Sequence, residues 1–261
     1  MELLVVGAGR VGLQLAHAAA GAGATVRAVL ARPGAPPRPA GPAVPVVPWS
    51  PGDPLPPADT VVVAVPDRAI PAVGRDLAAS GRLHSRTVLH TSGLLTADAL
   101  APCRDAGAAV GSWHPLAAIP PLALGPVRWE GVWTAIEGDP GAIAAARRLS
   151  RLLGCRAWEI DPSEKPRYHA AAAAAANLTH LLVAAAVREF EAAGHPDPAA
   201  ALERLVRGAV AAALRHPDLS ALTGPLARGD AETVRRHLEV LPAPLAAAYR
   251  ALAALVPRAP R

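Results

Sequence analysis

The sequence predicts an α/β protein in two parts, a mostly parallel, doubly wound sheet over residues 1–160 and an all-helical region over residues 161–261. Three observations predict it. Short apolar runs recur through the first part at the spacing of buried parallel strands, with helix-length segments between them. The first run leads directly into a glycine-rich turn and a helix-like segment. Beyond residue 160 the strand-like runs stop, and alanine-rich stretches are broken only at Gly194, Pro217, Gly229 and Pro242.

Leu3 to Val6 reads as the first strand, and Gly7-Ala8-Gly9-Arg10-Val11-Gly12 opens a helix that runs to Ala22. This is G-x-G-x-x-G in its required setting. Gly7 permits a tight turn, Gly9 lets a pyrophosphate approach the backbone, and Gly12 lets helix and strand pack closely. Helix N-terminal amides, at Ala8, Arg10 and Val11 among their neighbours, would face the anion. The expectation is a Rossmann dinucleotide-binding domain.

Thr25 to Leu30 is the second strand. About twenty residues past the fingerprint an NAD site places an acidic ribose ligand. The chain reads Leu30-Ala31-Arg32 there instead. A cation suits a 2′-phosphate, so the expected cofactor is NADP (NADPH) with Arg32 as its contact; a solvated arginine is the alternative.

Pro33 to Pro57 is crowded with proline and glycine and holds at most a short strand at Val44 to Val47. Asp59 to Val65 is the next buried strand, stopped by Pro66-Asp67, and Arg68 to Gly81 supplies a crossover helix. Ligands of such sheets lie beyond the carboxyl ends of the strands, which places Val65 and Pro66 against the cofactor. Thr87 to His90 ends in Thr91-Ser92-Gly93, where Ser92 either bonds a ligand oxygen or carboxamide or caps the next helix. Ala109 to Ser112 ends in Trp113-His114-Pro115, and His114 is either a site residue or a structural one. Val132 to Ile136, a helix over Gly141 to Leu153, and Ala157 to Ile160 complete the sheet domain.

The helical part is predicted as Ser163 to Ala193, Pro198 to His216, a short Leu219 to Leu226 segment, Asp230 to Val240 and Pro244 to Leu255, with Asp230 as a helix cap. Its first helix holds Lys165 and Asn177, the only lysine and the only asparagine of the chain. All other basic side chains are arginine. An ammonium can lower its pKa and move a proton, whereas a guanidinium stays charged, so a lone lysine is a catalytic candidate.

The formal charge of +5 is spread along the chain without a basic stripe interleaved with aromatics, so nucleic acid is not expected as a partner. Cys103 and Cys155 have neither metal-ligand spacing nor a disulfide framework. No metal is expected, and the cytoplasm is the expected location. Ala170 to Val187 is long and apolar, but Asn177 and His180 would sit in hydrocarbon, so a packed helix is expected and not a membrane span.

Several motifs together carry a resemblance: GAGRVG at 7–12, AVPD at 64–67, HTSG at 90–93, SWHPL at 112–116, KPRYHAAAAAAAN at 165–177 and LTGPLARGD at 222–230. The chain resembles the Rossmann-like proteins bearing the domain of unknown function 2520, over nearly its whole length. The wider superfamily that it resembles includes 6-phosphogluconate and 3-hydroxyacid dehydrogenases, ketopantoate reductases and pyrroline-carboxylate reductases. The resemblance implies a helical C-terminal domain that forms a homodimer, a site between the domains, and a small carbonyl substrate, ketopantoate being the best single guess. The hydroxyacid dehydrogenases carry a catalytic lysine with an asparagine four residues on. Here position 169 is His169, and Asn177 is twelve residues from Lys165.

With Ser163 as N-cap, Lys165 falls at the second helical position, since Pro166 is tolerated only in a first turn. The helix dipole and a partly buried cleft would both lower its pKa and suit it to act as general acid. His169, one turn on, would orient the substrate or tune the lysine. Asn177 lies about 18 Å along the axis and about 120° around it, so it bonds either the nicotinamide end of the cofactor or the helical core. The expectation is an NADPH-dependent reductase of a small 2-oxo acid. An imine reductase and a non-catalytic NADP-binding sensor or scaffold are the alternatives, and a ligand contact from Arg228 is speculative.

Overall fold

The computed structural model describes residues 1–34, 44–81 and 83–257, so much of the proline-rich stretch predicted over 33–57 lies outside the described residues. The chain forms two compact units, Met1–Ala172 and Ala173–Arg261.

The first unit is built on eight strands: β1 (Glu2–Val6), β2 (Thr25–Ala31), β3 (Val46–Pro48), β4 (Thr60–Val63), β5 (Thr87–His90), β6 (Ala109–Pro115), β7 (Trp133–Gly138) and β8 (Arg156–Glu159). Their order is β3-β2-β1-β4-β5-β6-β7-β8. The first six follow the 3-2-1-4-5-6 order of a doubly wound dinucleotide-binding sheet. All neighbours pair in parallel except β6 and β7. The central strands β4 and β5 are buried throughout, which is why they read as unbroken apolar runs.

Helices cover both faces. α1 (Arg10–Gly21) and α4 (Pro140–Leu152) bury Leu13, Leu15, Ala146 and Leu149 in one layer with Val5, Val62, Leu89 and Trp113. α2 (Ile70–Ala79) and α3 (Ala101–Asp105) bury Ile70, Leu77 and Cys103 in the other, with Val6, Val63, Val88 and Val110. The alternation along each strand assigns successive residues to opposite layers.

Some boundaries differ from the sequence reading. The predicted Val44–Val47 strand forms over Val46–Pro48, and the predicted Asp59–Val65 strand is shorter, Thr60–Val63. β6 runs on to Pro115 and takes His114 into the sheet, because β7 pairs with it antiparallel as far as Pro115↔Thr134. The predicted Leu219–Leu226 helix forms instead as α8 (Gly224–Arg228), with Pro225 in its first turn.

The long helix predicted from Ser163 does not start there. Asp161 is the cap: its Oδ1 accepts hydrogen bonds from Ser163 N at 2.8 Å and Ser163 Oγ at 2.7 Å, and a 3₁₀ turn covers Pro162–Glu164. α5 (Lys165–Ala173) follows, then a π-helical turn over Ala174–Leu178 that contains Asn177, then α6 (Thr179–Ala192). The π turn changes the rotation between Lys165 and Asn177 from that of a regular helix. Pro162–Ala192, 31 residues, is long and apolar enough to cross a membrane by length and composition.

The second unit also holds α7 (Pro198–Arg215), α9 (Ala231–Val240) and α10 (Ala243–Ala253). Asp197 and Asp230 cap α7 and α9 through Ala200 N and Thr233 N, the second as predicted. Leu178, Leu181, Leu205 and Leu214 are exposed.

Candidate active site

The predicted dinucleotide turn forms at the carboxyl end of β1. Gly7 has φ +116°, and a Cβ there would lie 2.4 Å from Ala64 O and 2.9 Å from Val65 Cγ1. The predicted Val65–Pro66 turn therefore abuts the fingerprint. A Cβ on Gly12 would come within 1.9 Å of Gly7 O, so helix α1 can pack here only without one.

Gly9 differs from both. Its backbone is extended, with φ −83° and ψ −174°, and an added Cβ would meet only Ala64 O, at 3.8 Å. Among the described residues, neither backbone strain nor protein packing asks for glycine there. A pyrophosphate lying over the turn does. Gly9 is also the N-cap of α1, with no side-chain cap, and no acidic residue occupies the first turn. No carboxylate of the first turn thus competes with a bound anion. Arg10 is exposed at the helix start, while Ala8 and Val11 are half-buried. Arg32 is exposed one residue beyond β2, on the strand next to β1. These residues fit NADP.

A second cluster lies at the carboxyl ends of β5 and β6. In register, His90 of β5 stands opposite Ser112 of β6, and Ser112 opposite Glu137 of β7. Three polar side chains thus form one row across three strands, all buried, at 0%, 0% and 4% exposure. Lys165 closes onto this row from the first turn of α5. Its Nζ donates to Ser112 Oγ at 2.6 Å, Glu137 Oε1 at 3.1 Å and Ser92 O at 3.4 Å. The other carboxylate oxygen of Glu137 accepts from Ala97 N at 3.3 Å.

Lys165 is 1% exposed, and its three N–H groups have three protein acceptors. Burial lowers its pKa from the ordinary lysine value, and the Glu137 carboxylate works against that shift. This corrects the sequence reading of a general acid facing a cleft at a helix start. The physical reason is Glu137, whose charge draws the ammonium into the sheet edge.

Ser92 is corrected too. Its hydroxyl donates to Asp67 Oδ2 at 2.7 Å and accepts from Leu94 N and Leu95 N at 3.1 and 3.0 Å, so it caps the next turn and is 3% exposed. It has no bond left for a cofactor. His90 holds the same loop: Ser92 N donates to its Nδ1 at 3.2 Å, and its Nε2 lies 3.0 Å from Thr96 O. That pairing makes Nε2 the protonated nitrogen. Burial, helped by the Lys165 charge, pushes the His90 pKa down to about 4.

The half-buried groups of the cluster are His114, Tyr168 and His169. His114 Nδ1 lies 2.8 Å from the Tyr168 hydroxyl. The His114 and His169 rings meet edge to face at 5.6 Å, and Tyr168 also packs against Trp158 at 5.9 Å. Burial pushes the His114 pKa down to about 4, with His169 and Lys165 adding to it, and pushes Tyr168 up to about 12. Gly93 is the floor of this group. A Cβ there would lie 2.5 Å from His169 Nδ1 and 2.9 Å from His114 Nε2. His169 Nδ1 is buried without a hydrogen-bond partner among the described residues.

The structure thus brings together Lys165, His114 and His169 of the predicted residues and adds Glu137, Ser112, Tyr168 and Asp67. Tyr168 was already legible one residue before His169, while Glu137 carried only the weak signal of a carboxylate inside an apolar strand. Asn177 is exposed in the π turn of the second unit. Among the described residues no cluster of three or more histidine, cysteine, aspartate or glutamate side chains fit to hold a metal ion occurs.

Comparison with known proteins agrees with the geometry. A family model described as a Rossmann-like domain matches residues 1–115, and one described as a domain of unknown function, DUF2520, matches residues 132–256. No curated protein matches the chain. Among solved structures, a candidate NADP oxidoreductase from Bacteroides fragilis is similar at 19% identity and TM-score 0.80, covering 98% of this chain and 97% of that one. A Thermotoga maritima protein is similar at 21% identity and TM-score 0.68, over 97% and 96% of the two chains. The pyrroline carboxylate reductase of Plasmodium falciparum, solved with NADP bound, is similar at 12% identity and TM-score 0.61, over 97% and 96%. At these identities the likeness shows the fold. By its two family matches, the chain joins an N-terminal Rossmann-like domain to a C-terminal DUF2520 domain.

Proposed function

We propose that the protein is an NADPH-dependent oxidoreductase that reduces a small carbonyl substrate. The observation that carries the reading is the β1–α1 turn, where Gly9 leaves the helix N-terminus open to a pyrophosphate and no described residue would collide with a side chain there. Arg32, beside that turn and without an acidic neighbour in Leu30-Ala31-Arg32, supports NADP over NAD. The names of the Bacteroides and Plasmodium proteins of like fold support the same class. When bound, NADPH supplies the hydride for the substrate carbon.

The chain's own residues supply the proton. Tyr168 is the donor in this reading: its hydroxyl, held 2.8 Å from His114 Nδ1, gives a proton to the substrate oxygen, and the tyrosinate takes a proton back from solvent when product leaves. A phenol raised to about 12 is still a stronger acid than the alcohol formed, so the transfer runs downhill. Lys165, the donor expected from sequence, reaches a substrate only by giving up one of its three acceptors, of which Ser92 O at 3.4 Å is the weakest. A 2-oxo acid is the proposed substrate class, with ketopantoate the first to test.

A second reading is imine reduction. It is favoured by a His114 that holds no extra proton near neutral pH and a Tyr168 raised to about 12, since a protonated imine brings its own proton, and by the name of the Plasmodium protein. NADPH oxidation with a panel of 2-oxo acids and cyclic imines tests both. Turnover of a 2-oxo acid supports the first, and turnover of imines alone supports the second. Tight NADPH binding with neither would leave a non-catalytic NADP-binding sensor or scaffold.

The exposed Leu178, Leu181, Leu205 and Leu214 of the second unit support a homodimer formed through its helices. The same helices are read as subunit contacts and not as a membrane span. Cys103 and Cys155 are free thiols, which supports a cytoplasmic protein.

A further inference from the structure

The Lys165–Glu137 pair is more buried than any group that the proposed chemistry uses. Replacing such a pair by apolar side chains is often neutral for stability, whereas removing one partner strands a charge. A pair of this kind therefore needs a purpose other than stability, and its place in the fold supplies one. Glu137 sits in β7, Ser112 in β6, Ser92 in the loop after β5, and Lys165 in the first turn of α5. Nζ is the atom where all four meet. One turn further along α5, Tyr168 and His169 reach His114, which is two residues beyond Ser112.

We infer that Glu137 and Lys165 are positioning residues: their buried ion pair pins the first turn of α5 to β6 and β7, so that Tyr168 and His169 close on His114. The second carboxylate oxygen extends the pin. It accepts from Ala97 N, at the far end of the loop that carries Gly93, the floor under both imidazoles. One carboxylate thus sets the height of the helix and of the loop beneath it. Lys165 serves here because its long stem crosses the sheet edge and its three donors match three acceptors in different elements.

The pair rests on the oxidoreductase reading only for its effect on turnover, and two readouts keep the tests separate. Lys165→Met, Glu137→Gln and the double variant Lys165→Met/Glu137→Leu are compared with wild type. The first readout is the titration of His114 by NMR with the thermal midpoint; the second is NADPH oxidation. In Lys165→Met the midpoint falls and His114 titrates well above its value of about 4, through lost burial and the lost Lys165 charge together; the double variant lacks the same charge and so isolates the burial. The double variant recovers the midpoint and the low titration, and turnover returns to within about tenfold of wild type. Glu137→Gln keeps a hydrogen bond to Nζ but strands the ammonium, so its midpoint falls as well, and an unchanged midpoint there counts against the pin.

An unchanged His114 titration in a folded Lys165→Met overturns the inference. So does a double variant that recovers its fold yet stays at least about a hundredfold slower, since Lys165 would then be a reacting group. A double variant that does not fold also counts against it. Absence of any turnover in wild type defeats the oxidoreductase reading alone, and the titrations still decide the pair.

Discussion

His114 Nδ1 and the Tyr168 hydroxyl lie 2.8 Å apart and join the carboxyl end of β6 to the second turn of α5. The contact couples the two half-buried side chains on which the proposed proton transfer rests. Tyr168→Phe removes the hydroxyl and keeps the ring packed on His114 and Trp158. It is expected to leave NADPH affinity and thermal midpoint unchanged and to lower kcat on a 2-oxo acid about a hundredfold or more, within the range of general acid catalysis. Steady-state kinetics with titrated cofactor binding check it, and an unaltered kcat would exclude Tyr168 as donor.

The fingerprint glycines should separate ligand from fold. Gly9→Ala places its methyl in open space, so the protein should fold as wild type while NADPH binds at least about tenfold more weakly, equivalent to ~1.4 kcal/mol. Gly12→Ala drives a methyl to 1.9 Å from Gly7 O and should lower the thermal midpoint sharply. Calorimetry and thermal melts of both variants check this. Equal cofactor affinity in Gly9→Ala would remove the main support for a ligand at the turn.

Arg32 should choose between the cofactors. Arg32→Ala is expected to weaken NADPH about tenfold and leave NADH nearly unaffected, because only NADPH carries the 2′-phosphate. The ratio of kcat/KM values for the two cofactors measures it; an unchanged ratio makes Arg32 a solvated surface residue.

Stability should fall on acidification through His90. Its folded pKa of about 4 is below the ordinary 6.5, so between these values the unfolded chain binds the proton first. The contribution is complete above pH 6.5 and is lost as pH falls toward 4. For a side chain with no exposure it is on the order of 3 kcal/mol, and His114 adds in the same direction. Urea unfolding at pH 7.5 and 4.5 should show the loss, and His90→Asn should flatten it. A wild-type midpoint independent of pH would show that both imidazoles titrate normally.

The N-terminal fold was legible because its signals are local. A buried parallel strand needs an apolar run, and a dinucleotide turn needs glycine where another side chain would collide, as at Gly7 and Gly12. The polar row was not legible, since His90, Ser112 and Glu137 meet only through the register of three strands. The antiparallel β7 hid it further: nothing within Trp133–Gly138 says which way that strand runs beside β6.

Composition alone singled out Lys165, the only lysine in an arginine-rich chain, and a helix from the 160s onward with His169 one turn beyond it. Tertiary structure decided what that lysine does. A helix pattern specifies which residues share a face, but the environment of that face comes from elements distant in sequence. Glu137, 28 positions away, draws the ammonium inward, and Ser112, 53 positions away, receives it. A buried charge must be paired, and a paired, buried ammonium does not face the substrate, which is why the proposed proton donor is Tyr168 and not Lys165.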